Sequence, residues 1–332
     1  MRTLHASVLA VALASSSASA GPPASGLDHT KMLDPIQVDS LTVTPIVTTA
    51  PAADDKDKQL LVLDEAMPRK LVHIKEVEGG EVNSLTLTNN ATQPLFLLAG
   101  EVIIGGKQDR IIGRNTIIPA KTTQDVPVFC VEHGRWTGKT GEFTTARALA
   151  HGRLRGNASF ESQEDVWDEV HAKNVERKTT SDTDTYRAVA AEEAGGRLGK
   201  MEETVDSALA KLPADQQGQL VGFAVAINGE VQTVDVFQSH ALFAKLETKL
   251  VRSYIADAVD VTATAAARPP KADAYKAFVE DSDKAAAVES FDTKAAHTYV
   301  KKGVRADNAE VRYDDAPAAA APVYRTYEAK KK

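Results

Sequence analysis

From Ile36 to Val131 the chain is a succession of short apolar segments cut apart by turn-forming residues, and this pattern constrains the fold most. Ile36, Val38, Leu41, Val43, Ile46 and Val47 alternate with Thr and Asp, which is the period of a strand with one face buried. Further segments follow at Leu60–Leu63, Leu71–Ile74, Val82–Leu87, Pro94–Leu98, Val102–Ile104, Ile111–Ile112, Ile117–Ile118 and Val126–Val131. Gly79-Gly80 and Asn89-Asn90 supply turns between them. Many short strands at this spacing predict an antiparallel sandwich or barrel-like sheet.

The pattern changes near residue 157. Ala, Glu, Lys and Arg dominate from Ser159 to about Leu212, where Ser162-x-x-Asp165 reads as a capping box opening a helix through Val166 and Trp167. A second helix is expected over Tyr186–Leu212, loosened at Gly195-Gly196 and stopped by Pro213. Asn228-Gly229 between Leu220–Ile227 and Val231–Phe237 predicts a tight hairpin. Leu242, Leu246 and Leu250 then fall four apart in a helix spanning Ser239–Val259, and Ala272–Glu280 is a shorter one. The fold class is therefore α+β: an N-terminal antiparallel sandwich or barrel-like sheet followed by a mixed helical half with a β-hairpin. The expected parts are a leader over 21–35, a β-rich part over 36–156, a mixed part over 157–313 packed on it, and an Ala/Pro/Lys-rich tail over 314–332.

Residues 1–20 read as a signal peptide. Arg2 gives the positive start, Ala6–Leu13 the apolar run, and Ala18-Ser19-Ala20 the cleavage site. The expectation is an exported chain, periplasmic or extracellular, beginning near Gly21. No later stretch is long and apolar enough for an integral membrane segment. Cys130 is the single cysteine, so an exported chain of this kind has no internal disulfide and depends on its core. The net charge is −7, with Lys and Arg scattered instead of striped, which argues against nucleic acid as a partner. His29, His73, His133, His151, His171, His240 and His297 lack the close pairings of a zinc site, and nothing implies a cofactor or a metal. Protein partners are not legible.

Two polar clusters stand out. Gly100-Glu101 leads through Gly105-Gly106-Lys107-Gln108-Asp109 to Arg110. It fails as a phosphate-binding loop in both registers, because Gly106 or Glu101 falls where Lys or the opening Gly is required. Adjacent glycines beside cations would still present backbone N–H groups to an anion. The second cluster is Cys130-Val131-Glu132-His133-Gly134-Arg135-Trp136. Cys130 with His133 as base is one reading, but alternation puts the two on opposite faces and Cys130 continues an apolar strand.

Several segments resemble a family of bacterial domains named for association with ADP-ribosylglycohydrolase and rhodanese-phosphatase proteins. The resemblance lies in Leu63-Asp64-Glu65-Ala66, Ile74-x-Glu76, Leu97–Arg110, Val126-Pro127-Val128-x-Cys130-Val131-Glu132-x-Gly134-Arg135-Trp136, and Gln163-x-x-Val166-Trp167. It continues in Gly222-Phe223-Ala224-Val225 with Asn228-Gly229, Val236-Phe237 and Leu250-x-x-Ser253-Tyr254. The resemblance implies that the two polar clusters form one site, and the family name points by association to ADP-ribose or a nucleotide-like ligand.

Three functional classes follow. In the first, a small anionic ligand meets Gly105, Gly106, Lys107, Gln108, Arg110, Glu132, Arg135 and Trp136, with the cations gripping it and Trp136 as an apolar wall. In the second, the protein is a hydrolase with Glu101 or Glu132 as general base. In the third, an envelope or extracellular interaction protein uses the charged clusters as buried buttresses.

Overall fold

The structure is a computed structural model and describes residues 25–50, 57–77, 81–133, 141–191, 196–316 and 320–330. The expected signal peptide and the expected turn at Gly79-Gly80 lie outside the described residues. In chain order the first strands are β1 (Thr30–Met32), β2 (Ile36–Val38) and β3 (Leu41–Thr48). Helix α1 (Leu63–Ala66) precedes β4 (Val72–Glu76), β5 (Ser84–Asn89), β6 (Leu95–Leu97), β7 (Glu101–Ile104), β8 (Arg110–Ile112), β9 (Thr116–Ile118), β10 (Thr122–Cys130) and β11 (Thr144–Leu149). The helical stretch is α2 (Gly152–Phe160), α3 (Gln163–Arg177), α4 (Arg187–Ala190), α5 (Gly196–Leu209) and α6 (Ala214–Gln217). It leads to β12 (Leu220–Ile227), β13 (Glu230–Phe237), α7 (His240–Ala258) and α8 (Ala272–Asp283). The last strands are β14 (Ala287–Asp292), β15 (Ala296–Lys302), β16 (Ala306–Tyr313) and β17 (Tyr324–Ala329). Antiparallel sheets and helices together make the chain α+β.

The strands form two main sheets. A nine-stranded sheet runs β1-β3-β12-β13-β17-β16-β15-β14, with β2 also on β3. A six-stranded sheet runs β11-β7-β8-β10-β5-β4, and β6 pairs β9 separately. The first three strands thus belong to the same sheet as the C-terminal strands, because β3 pairs β12 from Leu41–Ile227 to Val47–Leu220. The chain does not divide near residue 156 into a sheet half and a half packed upon it. Nor is 314–332 wholly tail-like: Tyr324–Ala329 is a buried strand between β13 and β16. Its Tyr and Thr residues favour strands, a signal masked by the Ala, Pro and Lys around it. Likewise β1 falls within the expected leader.

Alternation explains how each sheet builds two interfaces. Phe223 and Val225 face α7 in one core, whereas Val221 and Ala224 face Tyr275, Phe278 and Val279 of α8 in another. In the smaller sheet Ile103 and Ile112 enter the core with α1, while Val102 and Ile111 pack on Leu154, Val166 and Val170 of α2 and α3. Helix α7 is seated by Leu242, Leu246 and Leu250, each contributing about 1.5–3 kcal/mol on full burial. Its N-cap is Ser239, whose hydroxyl accepts from the Leu242 amide. The capping box at α3 forms in both directions between Ser162 and Asp165. Asn228 at positive φ followed by Gly229 closes the β12–β13 hairpin. The expected second helix divides into α4 and α5, with Gly196 at positive φ where α5 begins. Among the described residues no helix is long and apolar enough to cross a membrane.

Candidate functional site

The 105–110 loop and the end of β10 do come together. Gly105 and Gly106 take φ of 130° and 53°, and a Cβ on Gly106 would lie 2.3 Å from the Phe143 ring. These are the conditions that call for glycine. The anion this loop meets is its own chain: the Gly105 amide donates to Asp109 Oδ1 at 3.0 Å and the Lys107 amide to Glu76 Oε1 at 2.7 Å. Gln108 Nε2 donates to the Glu132 carbonyl at 2.7 Å, and the Asp109 amide donates to Glu132 Oε2 at 3.1 Å. Asp109 also accepts from Arg187 through Nε at 2.9 Å and Nη2 at 2.7 Å. Arg110 is wholly buried; its Nη1 donates to the Asp109 carbonyl, while Nε and Nη2 have no hydrogen-bond partner among the described residues. Arg135 and Trp136, expected beside them, lie outside the described residues, as does Gly134.

Cys130 is buried, and burial pushes its thiol up, with Glu76 and Glu132 adding to the rise and Arg110 opposing it. The Gln163 side chain braces it as a strand would, accepting from the Cys130 amide at 2.9 Å and donating to its carbonyl at 3.0 Å. His133 instead stacks edge-on against Trp167. This environment disfavours a thiolate.

Glu101 stands at the opposite end of β7 from the loop and joins a different group. It is 2% exposed, and both carboxyl oxygens are bonded: Oε1 to Lys249 Nζ at 2.8 Å and Oε2 to the Leu98 amide at 2.9 Å. Lys249 also contacts Asp64 at 2.6 Å. Burial raises Glu101 while Lys249 pulls it down. Burial likewise opposes the charge on Lys249, but Glu101 and Asp64 raise it overall, so the cation is present. Gly100, at φ 90°, lets the stem of Arg155 pass, since a Cβ there would lie 2.4 Å from Arg155 Cγ. The Gly100-Glu101 block therefore seats α2 through Arg155 and α7 through Lys249.

Beside α2 and the end of α7 is a cleft of about 290 Å³. Its walls include one face of α2, the end of α7, and β13, β16 and β17. Beneath it Arg155 donates to Asp235 through Nη1 at 3.2 Å and Nη2 at 3.0 Å. The Tyr254 and Tyr324 hydroxyls donate to the same carboxylate. Burial would raise Asp235, but Arg155 and these hydroxyls outweigh it and hold the carboxyl below its ordinary range. This floor is rigid and charged.

Glu328 of β17 lines the cleft, 7% exposed, with Oε2 accepting from Thr233 Oγ1 at 2.6 Å. Burial pushes its carboxyl up to about 8; Arg155 opposes this, and Asp235 and Asp257 add to it. A carboxyl of this kind carries a proton at neutral pH and can donate it. Asp257, at the end of α7, is also 7% exposed and lines the same cleft. Among the described residues its Oδ1 has no hydrogen-bond partner, and the Arg153 guanidinium lies 3.8 Å from it. Gly152 opens α2 because a Cβ there would lie 2.4 Å from Asp257 Oδ2. Behind the cleft His151 is wholly buried, bridging the Tyr186 hydroxyl at 2.8 Å and Glu169 at 3.0 Å.

Sequence reading singled out neither Glu328 nor Asp257. Asp257 sits on an ordinary amphipathic helix and Glu328 in a segment dominated by its flanking composition. The pairing of β17 with β13 carries Glu328 to the cleft opposite Thr233, and the end of α7 carries Asp257 there.

Residues 29–321 match the family model described as the ARG and Rhodanese-Phosphatase-superfamily-associated Protein domain. No curated protein and no solved structure gives a significant match.

Proposed function

The chain belongs to the ARG and Rhodanese-Phosphatase-superfamily-associated Protein domain family, and we propose that it is a hydrolase whose site is the α2 cleft. The observation that carries this is the pair of buried carboxyls sharing that cleft: Glu328, pushed up by burial, and Asp257, whose Oδ1 has no hydrogen-bond partner among the described residues. A carboxyl that keeps its proton beside a second carboxyl is the arrangement that acid–base hydrolysis of a glycosidic bond uses. Glu328 gives its proton to the departing oxygen. Asp257 takes a proton from the attacking water through Oδ1. Thr233 fixes the Glu328 carboxyl through Oε2, and the Arg153 guanidinium lies 3.8 Å from Asp257 Oδ1.

The test is hydrolysis of a panel of 4-nitrophenyl glycosides by the wild type, Glu328→Gln and Asp257→Asn. The wild type turns over at least one member, and each variant lowers kcat by about 10²–10⁴ while circular dichroism is unchanged. Absence of turnover across the panel, or full activity in both variants, contradicts the proposal.

A second reading is favoured by Arg110, which is wholly buried with two guanidinium nitrogens lacking hydrogen-bond partners among the described residues. There a small anionic ligand such as ADP-ribose is held beside Lys107, Gln108 and Glu132. ADP-ribose at a hundred times its dissociation constant would then add about 2.7 kcal/mol of stability, an effect absent in Lys107→Ala. No shift with ADP-ribose or nucleotides leaves the loop as a buttress.

The signal-peptide pattern supports export of the mature chain. N-terminal sequencing of protein from the periplasm or medium then begins near Gly21; a product that keeps Met1 contradicts this.

A further inference from the structure

The cleft also carries information about what it admits, because its side chains are unequal in what they offer a ligand. Two side-chain amides on its wall each spend an N–H on the chain: Asn157 Nδ2 donates to the Asp165 carbonyl at 2.9 Å and Gln232 Nε2 to the Glu230 carbonyl at 3.0 Å. Arg153, half-exposed, stands between Glu169 at 3.9 Å and Asp257 at 3.8 Å. Beside these donors the wall carries buried acceptor capacity. Asp257 Oδ1 is one such atom. Asp307 at the start of β16, 4% exposed, is another: its Oδ1 has no hydrogen-bond partner among the described residues, and Lys330 Nζ lies 3.3 Å from it. Burial raises Asp307, and Lys330 and Lys302 pull it back. Lys330 is half-exposed near the chain's C-terminus, so its ammonium stands where a ligand's ammonium would stand.

We propose that the substrate of this cleft is an amino-sugar glycoside, whose ammonium group displaces Lys330 from Asp307 while its hydroxyls donate to the remaining acceptors. This rests on the hydrolytic reading of the same cleft. An ammonium supplies three donors and no acceptor, which suits a wall of carboxylates. Its bond to Asp307 is charge-assisted and accordingly strong. A phosphorylated sugar would face Asp257, Asp307 and the rim carboxylates instead, and like charges repel it. The reaction balances as a hydrolysis: water adds across the glycosidic bond, the proton from Glu328 goes to the leaving oxygen, and the water proton goes to Asp257.

The experiment pairs binding with turnover. Calorimetry compares methyl glucosaminide, with its amine free, against methyl glucoside. Release of 4-nitrophenol is followed from the corresponding aryl glycosides. The wild type binds the amine about tenfold or more tightly, a preference that shrinks at high salt. Asp307→Asn abolishes that preference, and Lys330→Met, which removes the internal competitor, tightens amine binding. Thermal melting of both variants checks that they fold. Equal affinity for the two sugars, or a preference for glucose 6-phosphate, overturns the proposal. Turnover of neutral glycosides without an amine preference rejects the substrate class and keeps the hydrolase. Amine-selective binding that needs Asp307, with no turnover, rejects the hydrolase and keeps the ligand class.

Discussion

Two buried glutamates divide the molecule between structure and chemistry. Glu101 and Glu328 are both almost wholly buried, and burial raises both. Glu101 has a lysine on one oxygen and a backbone amide on the other. Glu328 accepts from two threonine hydroxyls, Thr233 at 2.6 Å and Thr326 at 3.5 Å, and among the described residues has no cation in contact, although Arg155 lies close enough to influence it. The difference teaches that density of polar residues in the chain marks where the fold is fastened. A buried carboxyl without a cation in contact marks where it can react. Glu101 fastens α7 to β7, while Asp257 at the end of α7 and Glu328 both line the cleft.

The sharpest way to break the comparison is to remove the cation from Glu101. Lys249→Met leaves the buried Glu101 and the partly exposed Asp64 without this counter-charge, and urea denaturation should show a loss of about 3–5 kcal/mol. A loss below about 1 kcal/mol would mean that the fastening role is misassigned. Gly100→Ala should cost about 1–3 kcal/mol by the same measurement, because the added methyl meets Arg155 and the backbone is at positive φ.

Glu328 should behave in the opposite manner, and its effect depends on pH. Its folded carboxyl binds a proton more tightly than an unfolded glutamate, so its contribution is fully present below the unfolded value of 4.5. That contribution is lost as pH rises through the folded value of about 8. Glu328→Gln cannot ionise, so it should match the wild type near pH 5 and exceed it by about 1 kcal/mol or more near pH 9. Glu101→Gln should be destabilised at both pH values, since Lys249 loses a partner in either case. Equal behaviour of the two variants would erase the distinction. The smallest effect is expected at Arg187, half-exposed at 49% where it grips Asp109. Arg187→Ala should cost no more than about 1 kcal/mol, and a much larger loss would show that the 105–110 loop depends on its rim.

Local chemistry made much of the fold legible. The Asn228-Gly229 hairpin, the Ser162–Asp165 capping box, the Leu242-Leu246-Leu250 stripe and the alternating strands all express rules acting within a few residues. What stayed hidden was set by pairing between distant segments. Nothing in Leu41–Thr48 announces β12 as its neighbour, and nothing near Tyr324 announces a central strand. The candidate site divided the same way. Gly105, Gly106, Lys107, Gln108, Arg110 and Glu132 lie near one another because a hairpin and its neighbouring strand hold them, while Arg135 and Trp136 of the same expected set lie outside the described residues. Glu101 was not part of that group, because the extended β7 carries it to the far end, where α7 supplies its lysine. Glu328 and Asp257 escaped notice because an isolated carboxylate in sequence carries no sign of its burial or its partners.

The central claim, that Glu328 holds its proton at neutral pH, is tested most directly by carbon-13 NMR of the glutamate side-chain carboxyls titrated from pH 4 to 10. The account predicts one resonance, absent in Glu328→Gln, whose midpoint lies near 8. A Glu328 resonance that titrates near the ordinary 4.5 would contradict it, and the cleft would then lack its acid.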